Sequence, residues 1–550
     1  MTGRKLRACL IITLTLIAGC NDNGEREPAP PTAVAAGTEP AGNTSAPTPP
    51  SVRNPTLTPT PPSMYYPRPH LQCPGGSLDT DDFYIGLKPP PAPTARPTPV
   101  DPAAGVGDRF YPLMGNRGYD VIHYDISLDV EPTTNTIDAV TTLTAVATEN
   151  LTRFNLDFHG LDVTAVTVDG TEARFTRDGN EMTIRPVAPI TAGARFSAAI
   201  SYSGTPQPVD DPGVPAPLGW QWAKGVIFTS SEPSGAMTWY PSNNHPTDKA
   251  TFTFKITVPD GVTAAASGVL TDETSSNGRT TTTWKMEDPM ATYLAAIYIG
   301  DFERHEKRLA NGLLIRDYVH PDSDTVVLHQ LALTPRAVSF LEEILGPYPF
   351  DAYGTIVMPF TLGWAMENQT LSIHGCLDLD PYVIAHELAH QWVGNSSTVD
   401  NWDQIWLHEG FAHYLGRLFM ADYYELDIND LMADEHYELA LAGTSPPAAI
   451  EIHELFDSHT IYQRGAQTLH ALRASVGNEV FFSILRTHYD QTAGGTTNTE
   501  IFLDVVNRLA GPEAVSLVRS WLYDADMPDL VNPGNNGETG EAGDTGDAQT

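Results

Sequence analysis

The chain has 550 residues, with 31 Lys plus Arg set against 68 Asp plus Glu, a formal net charge of −37 at pH 7. That balance excludes nucleic-acid binding, because neutralising phosphates needs clustered Lys and Arg and no basic stripe follows the first seven residues. A hydrophobic fraction of 41% is ample for a packed core, and the length has room for two or three domains.

The N-terminus carries Arg4, Lys5 and Arg7, then an apolar run from Ala8 to Ala18 that is too short to span a bilayer and suits a secretory signal. It ends in Ile17-Ala18-Gly19-Cys20, which resembles the lipobox of bacterial lipoproteins. The resemblance implies removal of the signal peptide, residues 1–20, and a membrane anchor through acylated Cys20; an ordinary signal with a chance cysteine is the plainer alternative. Asn21 follows, not the Asp that resembles an inner-membrane retention signal, so an exported protein at the outer membrane or cell surface is expected.

Residues 21–107 are rich in Pro, Ala and Thr, and 21 of the 46 prolines lie between Asn21 and Gly105. Such a composition does not bury enough surface to fold, and it predicts an extended tether. An aromatic insert around Tyr65, Tyr66, Phe83 and Tyr84 interrupts it. With Cys9 lost in the signal and Cys20 modified, Cys73 and Cys376 remain. Two thiols in an oxidising compartment can pair, but Cys73 has few constraints around it, and the expectation is that they stay separate.

From Tyr119 the pattern alternates, with Ile122, Tyr124, Ile126, Leu128 and Val130 on one face and His123, Asp125, Ser127 and Asp129 on the other. That is a half-buried strand. Alternation returns at Phe252, Phe254, Ile256 and Val258, closed by Pro259-Asp260-Gly261, so residues 108–305 predict a β-sandwich-like domain. Helical signals follow. Thr334-Pro335 opens a run that stops at Gly346, Asp380-Pro381 opens another that stops at Gly394, and more begin at Ile405, Gly465, Glu479 and Glu500. Residues 306–530 are expected to form an α-rich domain with a short strand region from Thr355 to Ile373. The last segment, 531–550, is acidic and Gly-rich, and reads as a solvated tail with a weak calcium site as the sharper alternative.

Within the helix opened by Asp380 lies His386-Glu387-Leu388-Ala389-His390. Residues four apart share a helix face about 6 Å apart along the axis, so two imidazoles can grip one Zn²⁺ while Glu387 reaches its water. Glu409 follows His390 after eighteen residues, inside the apolar stretch Ile405 to Ala412, where a carboxylate is costly unless paired or metal-bound. His386, His390 and Glu409 make a His₂Glu set with an open fourth position, the arrangement of catalytic zinc. His413, one turn on, is a rival ligand or a support for the site, and Asp403 is either a support or a solvated loop carboxylate.

The run Gly363-Trp364-Ala365-Met366-Glu367-Asn368, the His/Glu helix and Glu409-Gly410-Phe411-Ala412 together resemble the zinc aminopeptidase N family, a branch of the gluzincins. Similarity extends over most of residues 108–530, including Ser231 to Ala236 and Pro241 to Pro246. The resemblance implies an α+β multidomain fold, a saddle-like β-domain followed by a thermolysin-like catalytic domain, with one zinc per chain. It implies that Glu367 holds the substrate's free α-amino group within a substrate-binding stretch that includes Ala365, Met366 and Asn368, and that Glu232 assists from the β-domain. Tyr462, in Tyr462-Gln463-Arg464-Gly465-Ala466, resembles the family's donor to the oxyanion, and Glu387 its general base.

The implied activity is removal of N-terminal residues from peptides with a free N-terminus. Trp364 stands where the family usually has glycine, which bears on the pocket for the first side chain. No long helical region follows about residue 530, so an open cleft is expected. The strand from Gln369 to Ile373 is a candidate edge for the substrate backbone. Two alternatives stand beside this reading, a zinc endopeptidase on the same helix and a non-catalytic envelope binding protein.

Overall fold

The computed structural model describes Cys73, Gly75, Gly76 and residues 105–530. The signal segment, Cys20, the aromatic insert, nearly all of the tether and the tail lie outside the described residues. Among the described residues no helix is long and apolar enough to cross a membrane.

The first half is built on sheets. An eight-stranded sheet centres on Tyr119–Glu131, which pairs parallel with Lys249–Pro259 and antiparallel with Thr136–Ala147. A β-bulge between Val121 and His123 shifts the alternation, so Val121 rather than Ile122 faces the core. Beyond the bulge Tyr124, Ile126, Leu128 and Val130 are buried as their spacing predicts. A five-stranded sheet contributes Val214–Ala223 and Val226–Ser230, and the loop after Ser230 carries Glu232. That loop is pinned from below. Ser234 Oγ donates to Asp211 Oδ2 (2.5 Å), while Tyr111 Oη donates to Asp211 Oδ1 (2.7 Å).

The second half has more strand than expected. Its six-stranded mixed sheet starts at Glu303–Arg308, so the domain boundary placed at 305 falls inside a strand. The reason is compositional. Glu303 to Arg308 are all charged or titratable, which suits the outermost strand of a sheet and hides it from a search for alternating apolar residues. The rest of this half is helical, with α1 (Thr325–Leu331), α2 (Thr334–Leu345), α3 (Pro381–Ala389), α4 (Trp406–Tyr424), α5 (Ile428–Ala442), α6 (Arg464–Val476), α7 (Asn478–Thr492), α8 (Thr499–Ala510) and α9 (Pro512–Tyr523). The sequence reading missed α1, α5 and α9. Helix α3 also ends at Ala389, not Gly394, because Gln391 and Trp392 bond back three residues to Leu388 and Ala389 and tighten the last turn.

Cys73 and Cys376 form a disulfide, which corrects the expectation of separate thiols. Backbone pairing explains why the tether segment sits there. Gly75 donates to Pro359 O (2.7 Å) and Thr361 donates to Gly76 O (2.9 Å), while Gly76 donates back to Cys73 O (3.1 Å), so a short turn is seated against Pro359–Thr361 and brings Cys73 to Cys376.

Candidate metal centre and substrate cavity

Helix α3 starts at Asp380, whose carboxylate accepts from Val383 N–H (2.9 Å), with Pro381 at the first helical position. This sets the phase of the helix, and His386 and His390 emerge on its inner face. Helix α4 packs alongside and brings Glu409 to them. His386 Nε2 and His390 Nε2 are 3.1 Å apart, and Glu409 Oε2 lies 3.3 and 3.4 Å from them. All three side chains are buried, and apart from these imidazoles Glu409 Oε2 has no partner. Two ring nitrogens and one carboxylate oxygen thus point at one spot, the only such cluster among the described residues that fits a metal ion. The donor set suits zinc.

Charge in the cluster is mutually arranged. Burial pushes the Glu409 carboxyl up, but His390 and the imidazole hydrogen bonds outweigh it and hold it well below the usual carboxylate range. Burial disfavours the His390 imidazolium, yet Glu409 and Glu367 raise it to about 10. At His386 burial prevails and pushes the imidazole down to about 4, so the carboxylates here favour one added positive charge, which a metal ion between the three side chains would also supply.

His390 Nδ1 faces Val393 O (3.2 Å), which aims Nε2 at the centre. Behind His386 stands Tyr382, whose hydroxyl bonds His413 Nδ1 (2.8 Å), while His413 Nε2 bonds Glu435 Oε1 (2.8 Å) and Arg417 Nη2 donates to the same oxygen (3.0 Å). His413 is therefore committed on both nitrogens and is not a ligand. Asp403 is not part of the site either; it pairs with Arg109 (3.5 Å).

The centre opens into a cavity of about 410 Å³ lined by Glu232, Ala365, Met366, Glu367, Glu387 and Tyr462, among others. Tyr462 sits on a π-helical turn, Ser458–Gln463, and its ring stacks on His386 at 5.9 Å and 13°. Glu367 is held through its backbone, whose carbonyl accepts from Gln391 Nε2 (2.9 Å) and Asn395 Nδ2 (2.7 Å), leaving the buried side-chain Oε1 without a partner. Glu232 Oε1 is likewise buried and unpartnered. Burial, then Glu367, Glu409 and Glu387, push the Glu232 carboxyl far up; burial raises Glu367 against the pull of His390. Glu387 is held high by burial too, opposed by His390 and reinforced by Glu367 and Glu409.

Two expectations change. Asn368 does not line the cavity: it is fully buried and donates to Tyr298 Oη (2.7 Å), so it props the stretch from behind. The sheet edge beside the cavity is Ala365–Met366, because Ser372–His374 is flanked on both sides, by Thr355–Val357 and Ala365–Met366. Sequence reasoning also missed Leu218 and Phe456, which line the cavity from remote elements, and Tyr382, which lines it from the metal-site helix itself. Only Tyr382 left a trace, four residues before His386 on the same helix face.

Residues 329–521 match the Peptidase family M1 domain and residues 121–294 the Peptidase M1 N-terminal domain. The chain is similar to aminopeptidase N of Homo sapiens, 32% identical over 294 residues, covering 47% of this chain and 30% of that protein. It is 29% identical over 332 residues to aminopeptidase M1 of Arabidopsis thaliana, covering 56% of this chain and 37% of that one, so it spans well under half of these relatives. A solved M1 zinc metallopeptidase from Deinococcus radiodurans, a variant bound to a Tyr-Ser-Ala substrate, is 34% identical with a TM-score of 0.74, covering 78% of this chain and 100% of that chain.

Proposed function

Because this chain belongs to the peptidase M1 family, we propose that it is a zinc aminopeptidase, cleaving the first residue from peptides with a free N-terminus. One observation carries the reading: two buried carboxylates with unpartnered oxygens, Glu232 and Glu367, stand in the same cavity as the His386, His390 and Glu409 set. Like charges gathered away from water are unfavourable until a cation joins them, and a peptide's α-ammonium is such a cation. An acylated terminus leaves both carboxylates unpaired, and rejection by an unpaired buried polar group is large.

His386, His390 and Glu409 hold the metal. Zinc bound there would supply Lewis acidity to the scissile carbonyl and to a water molecule. Glu387 accepts a proton at its carboxylate from the attacking water and delivers it to the leaving amine. Tyr462 keeps its phenol proton, since burial, Glu409 and Glu232 push the phenol far up, and donates it as a hydrogen bond to the oxyanion. Glu232 and Glu367 orient the first residue, while the free edge of Ala365–Met366 takes the substrate backbone.

We place the protein at the cell envelope, exported and anchored through Cys20. The support is the lipobox-like Ile17-Ala18-Gly19-Cys20, with the Cys73–Cys376 disulfide suiting an oxidising compartment. Hydrolysis of aminoacyl amides by the zinc-loaded protein tests the activity, and Glu387→Gln tests the proton carrier. That variant keeps its zinc and loses about 10²- to 10⁴-fold in kcat. Undiminished turnover in Glu387→Gln would remove Glu387 from the mechanism.

A further inference from the structure

Away from the peptidase cavity, a second hollow of about 370 Å³ lies between Val269–Leu270 of the first half and the outer strands of the second. Four of its eight lining residues are cationic, Arg304, Lys307, Arg308 and Arg316, against one carboxylate, Glu306. In a chain with 31 Lys plus Arg against 68 Asp plus Glu, such a concentration runs opposite to the overall charge.

Arg316 is the distinctive member. It is 1% exposed, yet no carboxylate lies within ion-pair distance among the described residues. Its guanidinium is held by neutral acceptors, Ala266 O and Thr370 Oγ1 (both 3.1 Å), and by the Trp284 ring at 5.0 Å, while Nε has no partner. Its charge is felt by the neighbouring buried Asp317, and its side chain is among those that line the hollow. Arg304 and Arg308 are exposed at its walls. Glu306 lies opposite Arg316 in the strand register but pairs with Arg304 (3.5 Å), leaving Arg308 tied only to Gly312 O (3.2 Å).

We infer that this hollow binds a small oxyanion of the phosphate class, held by Arg304 and Arg308 above the buried Arg316. Guanidinium forks match phosphate oxygens in geometry. The ion is either free phosphate or the headgroup of an anionic lipid, since both present the same oxygens.

The test is calorimetric titration of the full chain with inorganic phosphate, with sodium chloride at equal ionic strength as control. Arg304→Gln and Arg308→Gln each weaken saturable binding about fivefold or more, whereas Glu306→Gln strengthens it. These are exposed positions, so the folded state persists, and hydrolysis of an aminoacyl amide serves to confirm it. Short-chain phosphatidic acid, added in place of phosphate, separates the sources: tighter binding assigns the lipid headgroup, equal or weaker binding the free ion. A response reproduced by sodium chloride, or retained in both arginine variants, would overturn the inference.

Discussion

Gly410 and Gly465 meet backbone against backbone where α4 crosses the start of α6; a Cβ on Gly410 would lie 2.9 Å from the Gly465 Cα. Glu409 and Tyr462 flank this crossing, so its closeness sets the separation between a metal ligand and the oxyanion donor. Gly410→Ala must push the two elements apart. It lowers stability by about 1–3 kcal/mol, the usual cost of overpacking. It lowers kcat further, since Tyr462 moves off its station. Denaturant unfolding beside steady-state kinetics checks both, and an unchanged midpoint would show that the crossing has slack.

Tyr462→Phe removes one hydroxyl and keeps the ring stacked on His386. Loss of an oxyanion donor costs about 10²–10³ in kcat, with KM nearly unchanged because the interaction forms in the transition state. A rise in KM at constant kcat would instead make Tyr462 a binding group.

Glu435 gives a pH prediction clear of the metal. Burial raises its carboxyl, but His413 and Arg417 prevail and bring it down to about 2, from an ordinary 4.5. A depressed carboxylate stabilises the fold above the unfolded value and loses that contribution as pH falls through the folded one. Wild type therefore exceeds Glu435→Gln by of order 3 kcal/mol at neutral pH, and the gap narrows between pH 4.5 and about 2. Thermal melts across that range measure it. A gap independent of pH would show the charge to be irrelevant.

The disulfide predicts a covalent link across 303 residues. Non-reducing peptide mapping recovers Cys73 and Cys376 in one species, and Cys376→Ser lowers stability by about 2–4 kcal/mol. Separately alkylated cysteines would contradict the pairing.

How much was legible in the sequence follows from how local each feature is. His386, His390 and Glu387 lie within one turn and a half of helix, so their spacing states their geometry. Glu409 declared itself as a carboxylate among Trp406 and Phe411. Asn368 went astray because the motif names neighbours without saying which way each side chain turns; just past the Ala365–Met366 strand, Glu367 turns into the cavity and Asn368 onto Tyr298. Ile122 lost its face to a bulge, which no local alternation announces. Tyr382, His413 and Glu435 join across three helices, and Cys73 meets Cys376 through backbone pairing with Pro359 and Thr361; both depend on tertiary placement alone.

The central claim is that Glu367 and Glu232 bind a free α-ammonium beside the metal. The most direct measurement is the ratio of kcat/KM for a peptide and its N-acetylated counterpart, in wild type and in Glu367→Gln. Wild type should favour the free amine by about 10⁴ or more, and the ratio should fall at least about a hundredfold in the variant. Comparable cleavage of both peptides by wild type would contradict the account and identify an endopeptidase.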